Sequence, residues 1–129
     1  MVKKFYITTA IDYVNAKPHL GHAYEKVCAD IVARWHRLLG GDVFFLTGTD
    51  ENAQKNVQAA KAAKTDVKAF VDKNVMQFKL LCEKLGISND DFIRTTKPRH
   101  AKASQNIFRK CMDNGDIYKG EYSGYYCSG

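Results

Sequence analysis

The chain has 129 residues, of which 45% are hydrophobic and 26% are charged, and its formal net charge is +6. This length predicts one domain that can bury roughly two thirds of its unfolded surface. The composition is ordinary for a soluble globular protein, and no apolar run approaches the length of a membrane helix, so we expect no membrane partner. Residues 1–4 lead directly into the first predicted strand and leave no room for a signal peptide, which favours a cytoplasmic chain.

The positive charge is compatible with nonspecific attraction to a polyanion, but it does not identify one. Lysine plus arginine total 20 against 14 acidic residues, and the lysines from Lys55 to Lys119 are dispersed, which favours a solvated basic surface. No C-x-x-C pair occurs, so we interpret the cysteines as inert thiols of a cytosolic chain. They are Cys28, Cys82, Cys111 and Cys127.

The first predicted elements are a strand and a long helix. Residues 5–9 are β-branched and aromatic, and the polar run that contains Pro18 ends this strand. Apolar residues then recur at helical spacing up to Leu39, and Gly40 and Gly41 end the helix. We expect this apolar stripe to lie on the sheet, with Trp35 in the core. Its members are Leu20, Tyr24, Val27, Ile31, Trp35 and Leu38.

Residues 43–46 form a continuous apolar run of strand length, which is typical of a parallel strand buried on both faces. A strand, a crossover helix and a second strand predict a right-handed βαβ unit. Ligands of such sheets bind beyond the carboxyl ends of the strands. We therefore expect the site at residues 8–15 and 47–53.

The rest of the chain continues the α/β pattern. Residues 52–64 are rich in Ala, Gln and Lys, and Thr65 can cap a further helix that runs to Leu85 and is closed by Gly86. Residues 91–94 predict a short third strand, and Pro98 starts a helix that ends near Gly115. Residues 117–118 and 122–127 predict two further strands.

The turn before the long helix carries the chemistry. His19 and His22 are one helical turn apart, so both imidazoles can face one spot, and Gly21 between them lets a base or a phosphate approach the backbone. The helix N-terminus favours an anion through its unpaired amides and its dipole. Two imidazole donors and an accessible backbone at Gly21 are suited to bind a phosphorus centre whose oxygens gain negative charge during displacement.

Two blocks of this sequence resemble methionyl-tRNA synthetases, which are class I aminoacyl-tRNA synthetases. His19-Leu20-Gly21-His22 is similar to their "HIGH" motif, and the block Phe44-Phe-Leu-Thr-Gly-Thr-Asp50-Glu51 follows it at the family's spacing. The resemblance covers nearly the whole chain but only the amino-terminal part of such an enzyme. It implies the first half of a Rossmann-like parallel sheet with flanking helices at residues 1–118. Residues 119–129 would be the truncated start of the connective-peptide insertion.

The resemblance also implies the activity of a methionine-tRNA ligase, with methionine, ATP and tRNA(Met) as partners. His19 and His22 match the catalytic histidines, and Asp50 matches the aspartate that holds the methionine ammonium group. The residues that match ATP-binding positions are Asn15, His19, Gly21, His22 and Glu25. Those that match the methionine site are Ala10, through its backbone, Ile11, Tyr13 and Asp50. From the residues alone, Asp50 could instead cap the next helix, and Ile11 could belong to the core.

The cofactors that the resemblance implies are Mg²⁺ bound with ATP and, in many members, a zinc knuckle. Cys127 would match the first cysteine of that knuckle, but a lone cysteine cannot assemble the four ligands of structural zinc, so we assign no metal-binding residue. The second class I motif, the "KMSKS" loop, does not occur in this sequence. We therefore expect the chain by itself to be weakly active or inactive.

Two departures from the family pattern affect the site. The family continues Asp-Glu-His-Gly where this chain has Asn52 and Ala53 after Glu51, which replaces an imidazole by an amide. Asp12 stands where an aromatic residue or proline is common, so a charge lies beside the methionine wall unless its side chain faces solvent.

The residues by themselves leave two other functions open. A small stand-alone nucleotidyltransferase of the cytidylyltransferase kind also uses H-x-G-H, although a Gly-Thr-Phe-Asp-like turn precedes its histidines and residues 9–13 lack one. A non-catalytic RNA-binding module would use the net charge of +6, but the sequence has no aromatic and basic platform for single strands.

Overall fold

A computed structural model describes residues 3–125 of the chain, which form two compact units that divide between Lys97 and Pro98. The first unit contains three strands and three helices, and the second contains one helix. In chain order the elements are β1 (Lys4–Tyr13), α1 (Leu20–Leu38), β2 (Asp42–Asp50), α2 (Gln54–Ala62), α3 (Val67–Lys84), β3 (Asp91–Arg94) and α4 (Pro98–Asp113).

The three strands form one parallel sheet in the order β1-β2-β3, which confirms the predicted α/β class. At the carboxyl ends of the strands, Tyr13 lies beside Asp50, and Thr49 lies beside Arg94. The two sequence blocks that predicted the site therefore meet at one edge of the sheet.

Strand β1 extends to Tyr13, beyond the predicted end at residue 9. Its pairing with β2 is interrupted between Thr8 and Ile11. Within this interruption the Ala10 amide donates to Glu25 Oε1 at 2.9 Å, so a side chain of α1 replaces the missing partner on β2. The prediction of a shorter strand was wrong because the polar residues at its end still pair with β2.

The bounds of α1 agree with the sequence analysis. Gly40 follows the helix with φ of 77°, a left-handed conformation that a residue with a side chain rarely adopts. Gly86 ends α3 in the same way with φ of 62°. The N-cap of α3 is Asp66, whose carboxylate accepts from the Ala69 amide at 3.0 Å, so the prediction that Thr65 caps this helix was wrong.

The apolar stripe of α1 does not lie on the sheet. The side of α1 that is buried carries Lys26, Asp30 and Ala33 instead. Trp35 is 59% exposed, so its prediction as a core residue was wrong. All six predicted members of the stripe are exposed, from Val27 at 36% to Leu20 at 84%.

The hydrophobic core lies under the apolar face of α3. Val71, Val75 and Phe78 of α3 pack with Val14, which follows β1, and all four are buried. Val67 and Phe92 pack on this cluster at its margin. The core therefore joins α3 to the segment that leads into the signature turn.

Strand β2 is buried on both faces only in its carboxyl half. Thr47, Gly48 and Thr49 are buried, whereas Phe44 is 46% exposed and stacks on the exposed Tyr6 of β1. The prediction that residues 43–46 are covered on both faces was wrong for Phe44, whose ring packs on the exposed Tyr6 and stays open to solvent.

The two strands predicted after α4 are not observed in the described residues. Residues 116–125 have no regular secondary structure, and the remainder of the second predicted strand, including Cys127, lies outside the described residues. Between residues 3 and 125, no helix is long and apolar enough to cross a membrane.

Candidate active site

A cleft of about 340 Å³ opens at the carboxyl end of β1 and the start of α1. It contains five of the nine residues that the sequence analysis assigned to the site. Ala10, Gly21, Glu25 and Asp50 are not part of its lining. The lining residues are Ile11, Asp12, Tyr13, Asn15, Ala16, Lys17, His19 and His22.

His19 and His22 cap the helix that carries them. His19 is the N-cap of α1, and its Nδ1 accepts from the Gly21 amide at 3.1 Å. His22 Nδ1 accepts from the His19 amide at 3.0 Å, which completes a reciprocal capping box made of two imidazoles. The amides of His19 and Gly21 therefore already donate to the two rings, whereas the sequence analysis expected the amides at this helix start to be unpaired.

The capping box also determines which nitrogen of each ring carries a proton. Since Nδ1 is an acceptor in both rings, the neutral form of each has its proton on Nε2. The ring centroids are 3.8 Å apart, so the two rings are in contact. The turn thus holds two neutral N–H donors side by side at the cleft.

His22 is held in this state by its surroundings. Burial lowers the pKa of His22 below its ordinary value, and the neighbouring His19 and Lys26 lower it further, while Asp12 and Glu25 act in the opposite direction. Phe78 of the core meets the His22 ring edge-on, with centroids 5.3 Å apart. Near neutral pH the imidazole is therefore uncharged.

Gly21 is required by the position of His19. A Cβ on Gly21 would lie 2.9 Å from Cε1 and 3.1 Å from Nδ1 of the His19 ring, closer than side chains tolerate. The sequence analysis assigned this glycine to the close approach of a ligand. The structure adds that the missing side chain makes room for the capping imidazole.

Asp12 is buried, with 7% of its surface exposed, so the alternative that it faces solvent was wrong. Its Oδ2 forms an ion pair with Lys26 Nζ, and its Oδ1 lies 3.8 Å from His22 Nε2. Lys26 is completely buried. Sequence reasoning missed Lys26, although its spacing of four residues from His22 places both side chains on one face of α1.

Asp50 lies beside Tyr13 in the sheet, at the edge where the cleft opens. Its Oδ1 accepts from the Asn52 amide at 3.1 Å and from Thr95 Oγ1 at 3.4 Å. The N-cap of α2 is Ala53, which has no side-chain cap, so the alternative that Asp50 caps this helix was wrong.

Glu25 and Ala10 contact each other instead of lining the cleft. The Ala10 amide donates to Glu25, and the Ala10 carbonyl accepts from Thr9 Oγ1 at 2.7 Å. Both backbone polar groups of Ala10 therefore have partners inside the protein. In this structure Glu25 secures the irregular part of β1.

A second polar cluster, which sequence reasoning missed, lies beside Asp50. Glu51 is buried, and its carboxylate accepts from Arg94 Nε at 2.6 Å, from Thr49 Oγ1 at 3.0 Å and from Thr96. Burial by itself would raise the pKa of Glu51, but the hydrogen bonds from Arg94, Thr96 and Thr49 outweigh it and lower that pKa. The cluster ties the ends of β2 and β3 together behind Asp50.

Comparison with known proteins identifies the family of this site. The family described as "tRNA synthetases class I (M)" matches residues 5–129. The chain belongs to this family. The match includes both blocks that meet at the carboxyl edge of the sheet.

Individual members of the family are close in sequence and structure. The methionine–tRNA ligase of Thermotoga maritima is 54% identical over 96% of this chain, and that of Brucella suis biovar 1 is 52% identical over the same share. Mycobacterium tuberculosis methionyl-tRNA synthetase in complex with methionyl-adenylate superposes with a TM-score of 0.88 at 49% identity over 91% of this chain. The sequence spans 20% and 24% of the two ligases and 23% of the solved chain.

In this class I synthetase chain, Asn52 and Ala53 depart from the expected Asp-Glu-His-Gly. The Asn52 amide donates to Asp50, and its side chain donates to Thr95 Oγ1 at 3.3 Å. Asn52 thus holds the turn between β2 and α2 closed. Ala53 begins α2 as its N-cap without a side-chain bond.

Proposed function

We propose that this chain provides the methionine- and ATP-binding part of a methionine–tRNA ligase. Such an enzyme joins methionine to ATP as methionyl-adenylate and then transfers the methionyl group to tRNA(Met). The observation that carries the proposal is the cleft that the histidine pair shares with Tyr13, whose neighbour in the sheet is Asp50. Family membership and ligase relatives at 54% and 52% identity support it.

His19 and His22 act as the catalytic donors in this proposal. Attack of the methionine carboxylate on the α-phosphorus of ATP places charge on the phosphoryl oxygens, and no enzyme nucleophile is needed. The Nε2–H groups of the two neutral rings are suited to donate to those oxygens. Neutral donors stabilise the developing charge without forming a tight ion pair with the triphosphate beforehand.

The remaining ATP contacts are assigned to Asn15, Gly21 and Glu25. Asn15 lines the cleft beside the histidines, where its amide can donate to a phosphate. Gly21 contributes through the space that it leaves for His19. Glu25 Oε1 accepts from the Ala10 amide of β1. Glu25 therefore contacts adenine or ribose through its other carboxylate oxygen, or after this hydrogen bond breaks.

Methionine binding is assigned to Ala10, Ile11, Tyr13 and Asp50. Ile11 and Tyr13 are 39% and 48% exposed at the cleft, and an aliphatic and an aromatic wall suit a polarisable thioether. Asp50 supplies a carboxylate for the ammonium group. Ala10 contributes only backbone atoms, and its carbonyl retains a second lone pair beside the bond from Thr9.

Magnesium enters this proposal bound to the phosphates of ATP, and zinc belongs to the connective peptide of many relatives. Among residues 3–125, no group of three or more His, Cys, Asp or Glu side chains is placed to hold a metal ion. These residues therefore do not fit a resident metal, and we derive no step from one.

The proposal is tested by methionine-dependent exchange of pyrophosphate into ATP, measured with the intact protein. Exchange with methionine and ATP, followed by charging of tRNA(Met), is the expected result. Exchange with CTP in place of ATP would overturn the proposal in favour of a cytidylyltransferase-like enzyme. Binding of RNA that persists when His19 and His22 are replaced, without exchange, would favour an RNA-binding module.

A calorimetric titration of the 129-residue chain with methionyl-sulfamoyl adenosine tests the site itself. Selective binding of this adenylate mimic over a cytidine nucleotide is expected if residues 10–25 and Asp50 form a preorganised half of the site. A folded chain that prefers the cytidine nucleotide would contradict the assignment.

A further inference from the structure

Asp12 and Lys26 form a buried charge pair next to His22 that the proposed function does not use. Lys26 is completely buried and Asp12 is 7% exposed. Burial of either charge without the other is costly, so the two groups depend on each other. A buried ion pair adds little net stability compared with two apolar side chains of the same size. Its stabilising effect therefore does not account for its position at the site.

The Asp12–Lys26 pair lies next to one atom of the site, Nε2 of His22. His22 Nδ1 accepts from the His19 amide, so the proton of the neutral ring is on Nε2. That nitrogen lies 3.8 Å from Asp12 Oδ1, too far for a hydrogen bond but close enough for a strong electrostatic effect. Asp12 and His22 also line the same cleft.

We propose that Asp12 and Lys26 are positioning residues for His22: Lys26 neutralises the Asp12 carboxylate, so that Asp12 supports the imidazole without capturing its Nε2–H or repelling an anion in the cleft. This inference rests on the proposed function for its catalytic consequence. A free carboxylate at this distance would draw the Nε2–H to itself and would oppose a phosphate. The salt bridge to Lys26 prevents both effects.

The charged and titratable groups around His22 come from three directions. Asp12 approaches from β1, His19 from the turn, and Glu25 and Lys26 from α1 itself. On α3, Phe78 contacts the ring, and the buried thiol of Cys82 lies close enough to Asp12 and Lys26 to feel both charges. Asp12 raises the pKa of His22 and Lys26 lowers it, although burial is the largest cause of its lowered value.

The test uses three variants of the intact protein: Asp12→Asn, Lys26→Met and the double variant. The pKa of His22 is read by NMR from the ¹³Cε1 resonance of labelled histidine that is absent in His22→Gln. Asp12→Asn should lower the pKa of His22, Lys26→Met should raise it, and the double variant should return it close to its original value. Opposite shifts that cancel in the double variant would show that both charges act on the His22 ring.

Kinetics provide the second readout. Each single variant should slow methionine-dependent pyrophosphate exchange about tenfold to a hundredfold, since a misplaced donor has costs of this order. The double variant should recover most of the lost kcat, because it restores neutrality beside the cleft. Circular dichroism of each single variant separates loss of charge balance from failure to fold, because a folded variant keeps the helical signal of the wild type.

Asp30→Asn is the matched control, because Asp30 is a buried carboxylate on the same face of α1 that does not contact His22. It should reduce stability and leave the pKa of His22 unchanged. The proposal is overturned if the single variants shift this pKa in the same direction or not at all, or if the double variant is as slow as the singles. A wild-type protein without exchange activity would refute the proposed function, while the pKa measurements would still decide the geometry.

Discussion

Two surfaces of α1 reverse the usual distribution of polar and apolar side chains. The inner surface buries Lys26, Asp30 and Ala33, and the outer surface exposes apolar side chains such as Ile31 and Trp35. On the inner surface each charge has a partner, Asp12 for Lys26 and Arg34 for Asp30. The contrast teaches that helical periodicity identifies an apolar face, but it does not identify the neighbour that covers it.

The largest expected effect concerns the start of α1, where His19 and His22 line the proposed site. His19→Ala should slow adenylate formation about a hundredfold or more, since one donor to the developing charge contributes about 2.7 to 4 kcal/mol. The measurement is pyrophosphate exchange by the intact protein. His100→Ala, in the second unit, is the matched control. Activity of His19→Ala within tenfold of wild type would contradict the catalytic assignment.

The inner surface is tested next with Asp30→Ala. Asp30 Oδ1 accepts from the Ser88 amide at 2.7 Å, and Oδ2 accepts from Arg34 at 2.6 Å. Loss of this buried acceptor should reduce the free energy of unfolding by about 1.5 to 3 kcal/mol. Urea unfolding of the chain measures it, and Lys68→Ala, which removes an exposed ion pair, should cost clearly less. Equal losses of unfolding free energy in the two variants would contradict the expectation that a buried acceptor contributes more than an exposed ion pair.

Gly21→Ala tests whether the activity of the site can be lost while α1 stays folded. Alanine is more favourable than glycine in a helix by about 1 kcal/mol, which offsets the loss of the His19 cap, so the helical signal of α1 in circular dichroism should change little. The new Cβ would push the His19 ring from its capping position, and pyrophosphate exchange should fall about tenfold, or about 1.4 kcal/mol. Unchanged exchange would show that His19 need not cap the helix during catalysis.

The pH dependence of the free energy of unfolding tests the partly exposed contact of Asp72 with Lys68 and Arg94. Hydrogen bonds from Lys68 and Arg94 lower the pKa of Asp72 to about 2, from an ordinary value of 3.8. Because the folded state binds this proton less readily, the contribution of Asp72 is present above pH 4 and is lost as the pH falls toward 2.

Solvent screening keeps this contribution below about 1 kcal/mol, since the Asp72 side chain is 40% exposed. Asp72→Asn should therefore lower the urea midpoint slightly at pH 7 and by much less at pH 2. A difference in urea midpoint between the two proteins that is as large at pH 2 as at pH 7 would contradict this direction.

The smallest effect is expected on the outer surface of α1. Ile31→Gln should change the free energy of unfolding of the chain by less than about 0.5 kcal/mol, because Ile31 is 61% exposed. Ala33→Leu, two residues away on the inner surface, should cost about 1 to 3 kcal/mol through overpacking. Urea unfolding compares the two, and a larger loss for Ile31→Gln would break the contrast between the surfaces.

Local signals were sufficient for most of the first unit. The apolar run of residues 43–46 and the helical period that follows Leu20 predicted β2 and α1, and Gly40 ends α1 as expected. The parallel order of β1 and β2 followed because a helix lies between two strands. These features depend on neighbours in sequence, which is why a pattern predicts them.

The positions of the two motifs in the fold were predicted from the sequence, but only some of their contacts were. The turn that carries His19 and His22, and the edge that carries Tyr13 and Asp50, lie where the sequence indicated. The motif did not predict that the two imidazoles cap their own helix. Nor did it indicate that Glu25 turns away from the cleft to bind Ala10.

The sequence by itself determined the order of the elements from β1 to α4 and the position of the signature turn, because period and turn chemistry act over a few residues. Only the tertiary structure decided that Lys26 and Asp12 are buried while Trp35 is exposed. Burial of a charge depends on a partner that is distant in the chain, here fourteen residues away. Exposure of an apolar face likewise depends on which elements pack against it. The spacing of residues along the chain predicts neither the partner of a buried charge nor the element that covers an apolar face.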